Sequence, residues 1–258
     1  MMMKYITTNE MMTMNTSMNK DILLPYTSLL GKHQGEAAFI CGAGPSLCDC
    51  MSNDLFKKIN EHVVVSVNSS ILAMSWESGD PQKRYWVSND ALCRRWNYWQ
   101  IVKKSKAIKV VRDSWEKYHK EIPGFLYFSP RPTSEDVIDS GDIGLAYCSS
   151  VPTSIDLCIQ MGIKKIFLLG VDHKRRDSKT HFWQFWDYDK RAKGPISSYA
   201  QQKKVFVDYN LMAFEALNGF AKEYKSEIYN CNVDSAVDIF NKISFEEAFD
   251  IIGEDDES

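Results

Sequence analysis

Apolar residues in this chain fall in short unbroken runs that each end in glycine, asparagine or aspartate, a pattern that suits strands covered on both faces rather than a half-exposed sheet. Residues 39–41 (FIC) run directly into Gly42-Ala43-Gly44-Pro45-Ser46, and 62–68 (HVVVSVN) is a β-branched run that ends at Asn68. Residues 85–90 (YWVSND) end in Ser88, Asn89 and Asp90, and 165–171 (KIFLLGV) ends at Asp172. Shorter runs at 107–111, 125–128 and 227–231 predict further strands. Helical spacing separates them. It predicts a short helix at 52–59 and a helix at 150–161 with Ser149 or Ser150 as cap, Pro152 in its first turn and Gly162 as its stop. A longer helix is predicted between 198 and 224, where Val205, Phe206, Tyr209, Met212, Phe214, Leu217 and Phe220 recur, and a short one from Ser244. Strands alternating with helices predict an α/β domain with a mostly parallel, doubly wound sheet.

The polar residues sit at one end of these strands. Gly42 to Ser46, Asn68, Ser88 to Asp90, and Gly170 to Asp172 each follow a predicted strand, and in an open parallel sheet those carboxyl ends share the edge where ligands bind. Gly42 and Gly44 let main-chain N–H groups approach an anion, Pro45 sets the turn, and Ser46 adds a hydroxyl where the next element begins. The turn has neither the lysine of a P-loop nor the third glycine of the dinucleotide fingerprint. Asparagine and aspartate also begin ordinary turns, so Asn68, Asn89 and Asp90 carry both readings.

Between Asp172 and Tyr199 the composition becomes basic and aromatic. Lys174, Arg175, Arg176, Lys179, Lys190, Arg191 and Lys193 are interspersed with Phe182, Trp183, Phe185, Trp186 and Tyr188. A connection of this kind at a ligand edge reads as a lid over 173–199, in which cations meet phosphates and rings stack on a base or sugar. The alternative is an excursion that packs its rings on the protein body. Of five histidines, His173 and His181 lie in this segment, and either is a candidate general base near neutral pH, as is Asp172. Asp90 and Asp172 are the candidates to hold Mg²⁺ through phosphates; carboxylates at that edge also bind ribose hydroxyls.

Length and charge narrow the classes. With 258 residues, 44% of them hydrophobic, the chain can bury a large single core; the domain is placed at 31–252, with a mobile tail at 1–30 and an acidic tail at 253–258. A net charge of −3 without a long basic run argues against nucleic acid as a partner. Seven scattered cysteines read as reduced thiols in a cytoplasm rather than as a disulfide framework, and Cys41, Cys48 and Cys50 lack the paired spacing of a zinc site. No stretch reaches the roughly 18 apolar residues of a membrane span.

CGAGPSL at 41–47, VSVNSS at 65–70 and PTSIDLCIQMGIKKIFLLGVDH at 152–173 resemble proteins of the MptE-like group. That group includes archaeal 6-hydroxymethylpterin pyrophosphokinases and is similar to motility accessory factors and bacterial lipooligosaccharide sialyltransferases. IYNCNVDSAVDIFNKISFEEAF at 228–249 looks like the close of those glycosyltransferase-like domains. The resemblance covers about 37–249. It implies a Rossmann-like fold and a nucleotide-bearing donor, with Gly42, Gly44, Ser46, Asn68 and the helix start at Thr153 as contacts. The chain departs from the pyrophosphokinase pattern, having neither an H-x-H-G-D-N nor a G-G-F-T-D-G-D-R segment. It also has no histidine after His181, so the base that precedes the long C-terminal helix in the sialyltransferases is not carried over, and His181 or His173 stands in for it. Tyr188 or Tyr199 matches the tyrosines that support a departing phosphate there.

The expected function is transfer from a sugar nucleotide to a hydroxyl of a glycan or small molecule, with no required cofactor, Gly42 to Ser46 and Gly170 along the donor, and Arg175 and Arg176 on its phosphate. The alternatives are diphosphate transfer from ATP with Mg²⁺, and a non-catalytic nucleotide- or glycan-binding module. A homo-oligomer is compatible with either.

Overall fold

The computed structural model describes residues 24–74, 79–118, 125–128, 130–131, 145–146, 149–186 and 203–256. Eleven strands are present among them: β1 (Leu24–Pro25), β2 (Ala37–Cys41), β3 (Val63–Val67), β4 (Arg84–Ser88), β5 (Ile108–Arg112), β6 (Leu126–Phe128), β7 (Pro130–Arg131), β8 (Leu145–Ala146), β9 (Lys165–Leu169), β10 (Glu227–Asn230) and β11 (Asn241–Lys242). Nine of them form one sheet in the order β1-β6-β5-β4-β3-β2-β9-β10-β11, and every pairing is parallel. β7 and β8 pair separately. The α-helices among the described residues are α1 (Leu47–Ser52), α2 (Trp99–Lys104), α3 (Ser150–Gln160), α4 (Lys203–Glu223) and α5 (Glu247–Asp256). This is the expected α/β, Rossmann-like, doubly wound arrangement.

β3, β4 and β9 are buried at every residue because both faces of the sheet are covered. Successive side chains then go to opposite layers. Ala38 and Ile40 join Val63, Val65, Ile155, Ile159, Phe214 and Phe220 in the layer under α3 and α4. Phe39 and Cys41 join Val64, Phe167, Leu169, Leu47, Phe182 and Phe245 on the other side. Phe39 stacks on Phe167 and Phe249 with centroids at 5.2 and 5.5 Å, so truncating this ring to alanine would cost about 3–5 kcal/mol.

Chain order runs outward from β2 through β6, then returns to place β9 on the other flank of β2. The winding therefore reverses between β2 and β9, where α/β sheets open a crevice at their carboxyl edge. α3 packs against β2, β3 and β4, and its first turn lies at that edge. It stops as expected at Gly162, whose φ of +84° permits a paired closure, Gly162 N–H to Ile159 O at 3.0 Å and Ile163 N–H to Cys158 O at 3.1 Å.

Three expectations change. The helix expected at 52–59 begins earlier, as α1 straight out of the glycine turn, and continues after Asn53 as a 3₁₀ segment (Asp54–Glu61), because the Asn53 side chain accepts from Leu55 N–H and restarts the winding. Residues 24–30 of the expected tail pack on the body: β1 pairs with β6, Tyr26 and Leu29 enter the α3 layer, and Tyr26 Oη donates to Gln160 Oε1 at 3.0 Å. Residues 1–23 lie outside the described residues. At the other end α5 runs through Asp256, taking in part of the expected acidic tail, and Ser244 and Glu247 cap each other's N–H groups at its start.

Candidate functional site

The glycine turn after β2 and the turn after β9 are locked together. Gly42 N–H donates to Leu169 O at 2.7 Å, and Gly44 N–H donates to Gly170 O at 2.8 Å. A Cβ on Gly42 would lie 2.5 Å from Gly170 O, and one on Gly44 would lie 2.6 Å from Asp172 Oδ2. Close backbone approach therefore accounts for both glycines, and Gly170 is required by its φ of +64°. Of the turn's amides, Gly42 and Gly44 are committed to protein carbonyls, and Ala43 N–H has no partner among the described residues.

Asp172 holds this junction. Its carboxylate is buried and accepts from Ser46 N–H at 2.8 Å, from Ser46 Oγ, and from Asn232 Nδ2 at 2.8 Å. The expected catalytic carboxylate is thus bound on both oxygens by protein donors. Asp90 Oδ1 accepts from Leu92 N–H at 2.8 Å and caps the 3₁₀ turn Ala91–Arg95. Asp90 and Asp172, the expected Mg²⁺ candidates, each accept hydrogen bonds from protein donors, and no group of three metal-ligating side chains is present among the described residues.

The polar residues after β3 and β4 meet the start of α3. Asn68, at φ +52°, receives Trp86 Nε1–H on its carbonyl at 2.9 Å, and its Oδ1 accepts from Ser150 Oγ at 3.5 Å. Ser150 Oγ itself accepts Asn89 N–H at 3.0 Å, and Asn89 Nδ2 lies 2.9 Å from Thr153 Oγ1. Thr153 Oγ1 also reaches Ser149 O at 3.0 Å. Asn68, Asn89 and Thr153, three expected contacts, thus form one network, to which the structure adds Ser150. Asn68 Nδ2 has no partner among the described residues, and since Oδ1 already accepts, the NH₂ group is the free end. Ser149 caps α3 with an extended backbone but no side-chain hydrogen bond, leaving that helix terminus open to an anion.

The segment expected as a lid is only partly described. Over 173–186 it is a strap: Arg176 and Lys179 pair across a tight turn with Asp177 and Ser178 at positive φ, and a 3₁₀ turn follows (Phe182–Phe185). Phe182 and Trp183 are buried in the layer with Phe39, and Phe182 N–H donates to Ala43 O at 3.0 Å. Those rings are packed against protein rather than presented to an incoming base. Arg176 makes a two-pronged pair with Asp49, at 2.8 and 2.5 Å, whereas Arg175 is exposed and has no partner among the described residues. Tyr188, Lys190, Arg191, Lys193 and Tyr199 lie outside the described residues.

The two histidines separate by face. His173, at φ +49°, packs its ring on Phe214 of the α3–α4 layer, with centroids at 5.5 Å. Its Nδ1 is buried without a hydrogen-bond partner among the described residues. Burial holds the imidazole below its ordinary value, with the neighbouring Asp172 carboxylate acting the other way. His181 stacks on Trp183, on the opposite layer, and its Nδ1 lies 2.8 Å from Thr180 Oγ1; burial lowers its value too. Both rings are therefore neutral at pH 7.

The sequence marks Ser150 only as a candidate helix cap, and does not mark Asn232 or Ser70 as site residues. Ser70 Oγ accepts Val67 N–H at 2.7 Å and donates to Cys41 O, tying the end of β2 to the end of β3. Only the doubled serine of VSVNSS hinted at it.

No family model and no curated protein sequence matches the chain. Its structure is similar to MAf glycosyltransferase from Magnetospirillum magneticum AMB-1, with a TM-score of 0.50 and 13% identity over 87% of this chain and 38% of that one. The chain therefore spans well under half of that protein. It is also similar to the monofunctional alpha-2,3-sialyltransferase Cst-I of Campylobacter jejuni (TM-score 0.49, 16% identity, 82% and 81% covered). The sialyltransferase CstII of the same organism, in complex with cytidine-5'-monophosphate, follows (TM-score 0.47, 14% identity, 82% and 86% covered). These neighbours are of the motility accessory factor and sialyltransferase kinds that the sequence resembles, and the likeness to the first is one of fold.

Proposed function

We infer that this chain is a transferase of the glycosyltransferase type, taking a sugar activated by a nucleotide, with a CMP-linked acidic sugar as the leading donor. The observation that carries this reading is the linked set Asn68, Ser150, Asn89 and Thr153 at the carboxyl edge, beside the start of α3, where Ser149 makes no side-chain cap bond, and with Asn68 Nδ2 unpaired among the described residues. The fold shared with a protein described as a glycosyltransferase agrees with it.

In this reading Asn68 Nδ2, Ala43 N–H, the first turn of α3 and Arg175 face the donor's phosphate and nucleoside. Fixed donors there stabilise the charge that grows on the phosphate as it leaves. Gly42, Gly44, Pro45, Ser46, Gly170 and Asp172 hold the wall in shape, and Arg176 fastens the strap to Asp49. His173 is the base, since it lies on the layer of α3 while His181 lies on the other. The acceptor hydroxyl gives its proton to the imidazole as its oxygen bonds to the anomeric carbon, and the sugar–phosphate bond breaks with its electron pair remaining on the nucleoside monophosphate. No step here calls on a metal.

Calorimetry with CMP, UDP and ATP, with and without Mg²⁺, tests the donor, and release of CMP from a CMP-linked sugar tests the chemistry. His173→Ala is expected to keep CMP affinity and lose about 10²–10⁴-fold in turnover. Absence of binding to all three nucleotides would end the reading, and release of AMP from ATP in its place would make the chain a diphosphotransferase.

A further inference from the structure

We propose that Cys93 is a positioning residue for Asn68, its thiol fixing the side-chain amide so that the NH₂ group faces the cleft and takes a hydrogen-bond acceptor of the donor. Cys93 lies in the 3₁₀ turn after β4, fully buried, and its Sγ is 3.6 Å from Asn68 Oδ1. Tyr98 Oη donates to the same sulfur at 3.1 Å, and Ser88 Oγ lies 3.2 Å from it.

The thiol carries one hydrogen. With the Tyr98 and Ser88 hydroxyls both donating to the sulfur, that hydrogen is directed at Asn68 Oδ1. Burial pushes the Cys93 thiol up to about 12, so it stays protonated and keeps donating across the physiological range. Ser150 Oγ donates to the same Asn68 Oδ1 at 3.5 Å. An amide held by two donors on its oxygen is prevented from flipping, and a flipped Asn68 would set its carbonyl oxygen against a phosphate or a pyrimidine carbonyl. Cys93 thus selects an acceptor at this point of the ligand without touching it. The left-handed backbone of Asn68 aims the side chain, and Trp86 Nε1 holds that backbone from behind.

The claim about the ligand rests on the nucleotide-donor reading, whereas the claim about the thiol does not, and the experiment separates them. The S–H stretching band of Cys93 is isolated as the Raman difference between the native protein and Cys93→Ser. In Asn68→Ala that band should move to higher frequency, and in Tyr98→Phe it should move as well. A band unmoved by Asn68→Ala overturns the proposal.

CMP titration follows on the same proteins. Cys93→Ala should weaken binding about three- to tenfold while thermal unfolding stays cooperative, and Cys93→Ser, which keeps a donor, should restore affinity to within about twofold. Equal affinity in native and Cys93→Ala protein overturns the positioning role even if the band moves. If native protein binds neither CMP nor UDP, the donor reading fails, and the thiol's hold on Asn68 stands or falls on the band.

Discussion

Gly42 and Gly170 touch through their backbones: a Cβ on Gly42 would lie 2.5 Å from the Gly170 carbonyl oxygen, while the Gly42 N–H is bonded to Leu169 O at 2.7 Å. The obstructing atom is backbone in a turn that Gly44 also ties down, so it has little room to retreat. Gly42→Ala is expected to destabilise the protein by about 1–3 kcal/mol, as overpacking does, read as a lower urea midpoint at unchanged slope. An unchanged midpoint would show that the two turns can part.

Asp172 distinguishes a clamp from a catalytic base. In Asp172→Asn one oxygen becomes an NH₂ facing a donor, either Ser46 or Asn232, inside a buried site. Stability should fall by about 2–3 kcal/mol. A variant of native stability that has lost turnover would instead make this carboxylate the reacting group.

His33, His173 and His181 are all held by burial below the ordinary imidazole value of 6.5. The unfolded chain then protonates first as pH falls, so between 6.5 and the lower folded values it binds more protons than the native state. Stability therefore rises with pH through that window and is lost from pH 7 toward pH 5. Urea midpoints at pH 7, 6 and 5 should fall in that order, and less steeply in a His173→Asn, His181→Asn double variant. A flat series would remove the burial argument.

Arg175 and Arg176 are neighbours with different expected effects. Arg176→Ala breaks an exposed pair with Asp49, so it should cost less than about 1 kcal/mol of stability and leave CMP affinity within twofold. Arg175→Ala should leave stability unchanged and weaken CMP binding about three- to tenfold at low ionic strength, with the difference shrinking as salt is added. Equal behaviour of the two would mean that Arg175 does not face the donor.

Much of this was legible in the order of residues. A doubly covered strand needs an apolar run, and a run that ends at a ligand edge needs a polar residue, so β2, β3, β4 and β9 and their ends at Gly42, Asn68, Asn89 and Asp172 could be read one by one. α3 was equally plain, since Pro152 and Gly162 mark both of its ends. By contrast β1 is two residues long and has no period to detect, and nothing near Tyr26 announces Gln160 as its partner.

The sequence by itself thus determined the sheet, its direction and the edge at which polar chemistry collects, because these depend on local runs and their punctuation. Only the tertiary structure decided what each polar residue does there. It assigned Gly42 and Gly44 to a backbone junction, Asp172 to Ser46 and Asn232, Phe182 and Trp183 to the core, and the amide of Asn68 to Ser150 and Cys93. Each of these assignments depends on a partner distant in sequence, and a hydrogen bond or a steric contact exists only once folding has brought both sides together.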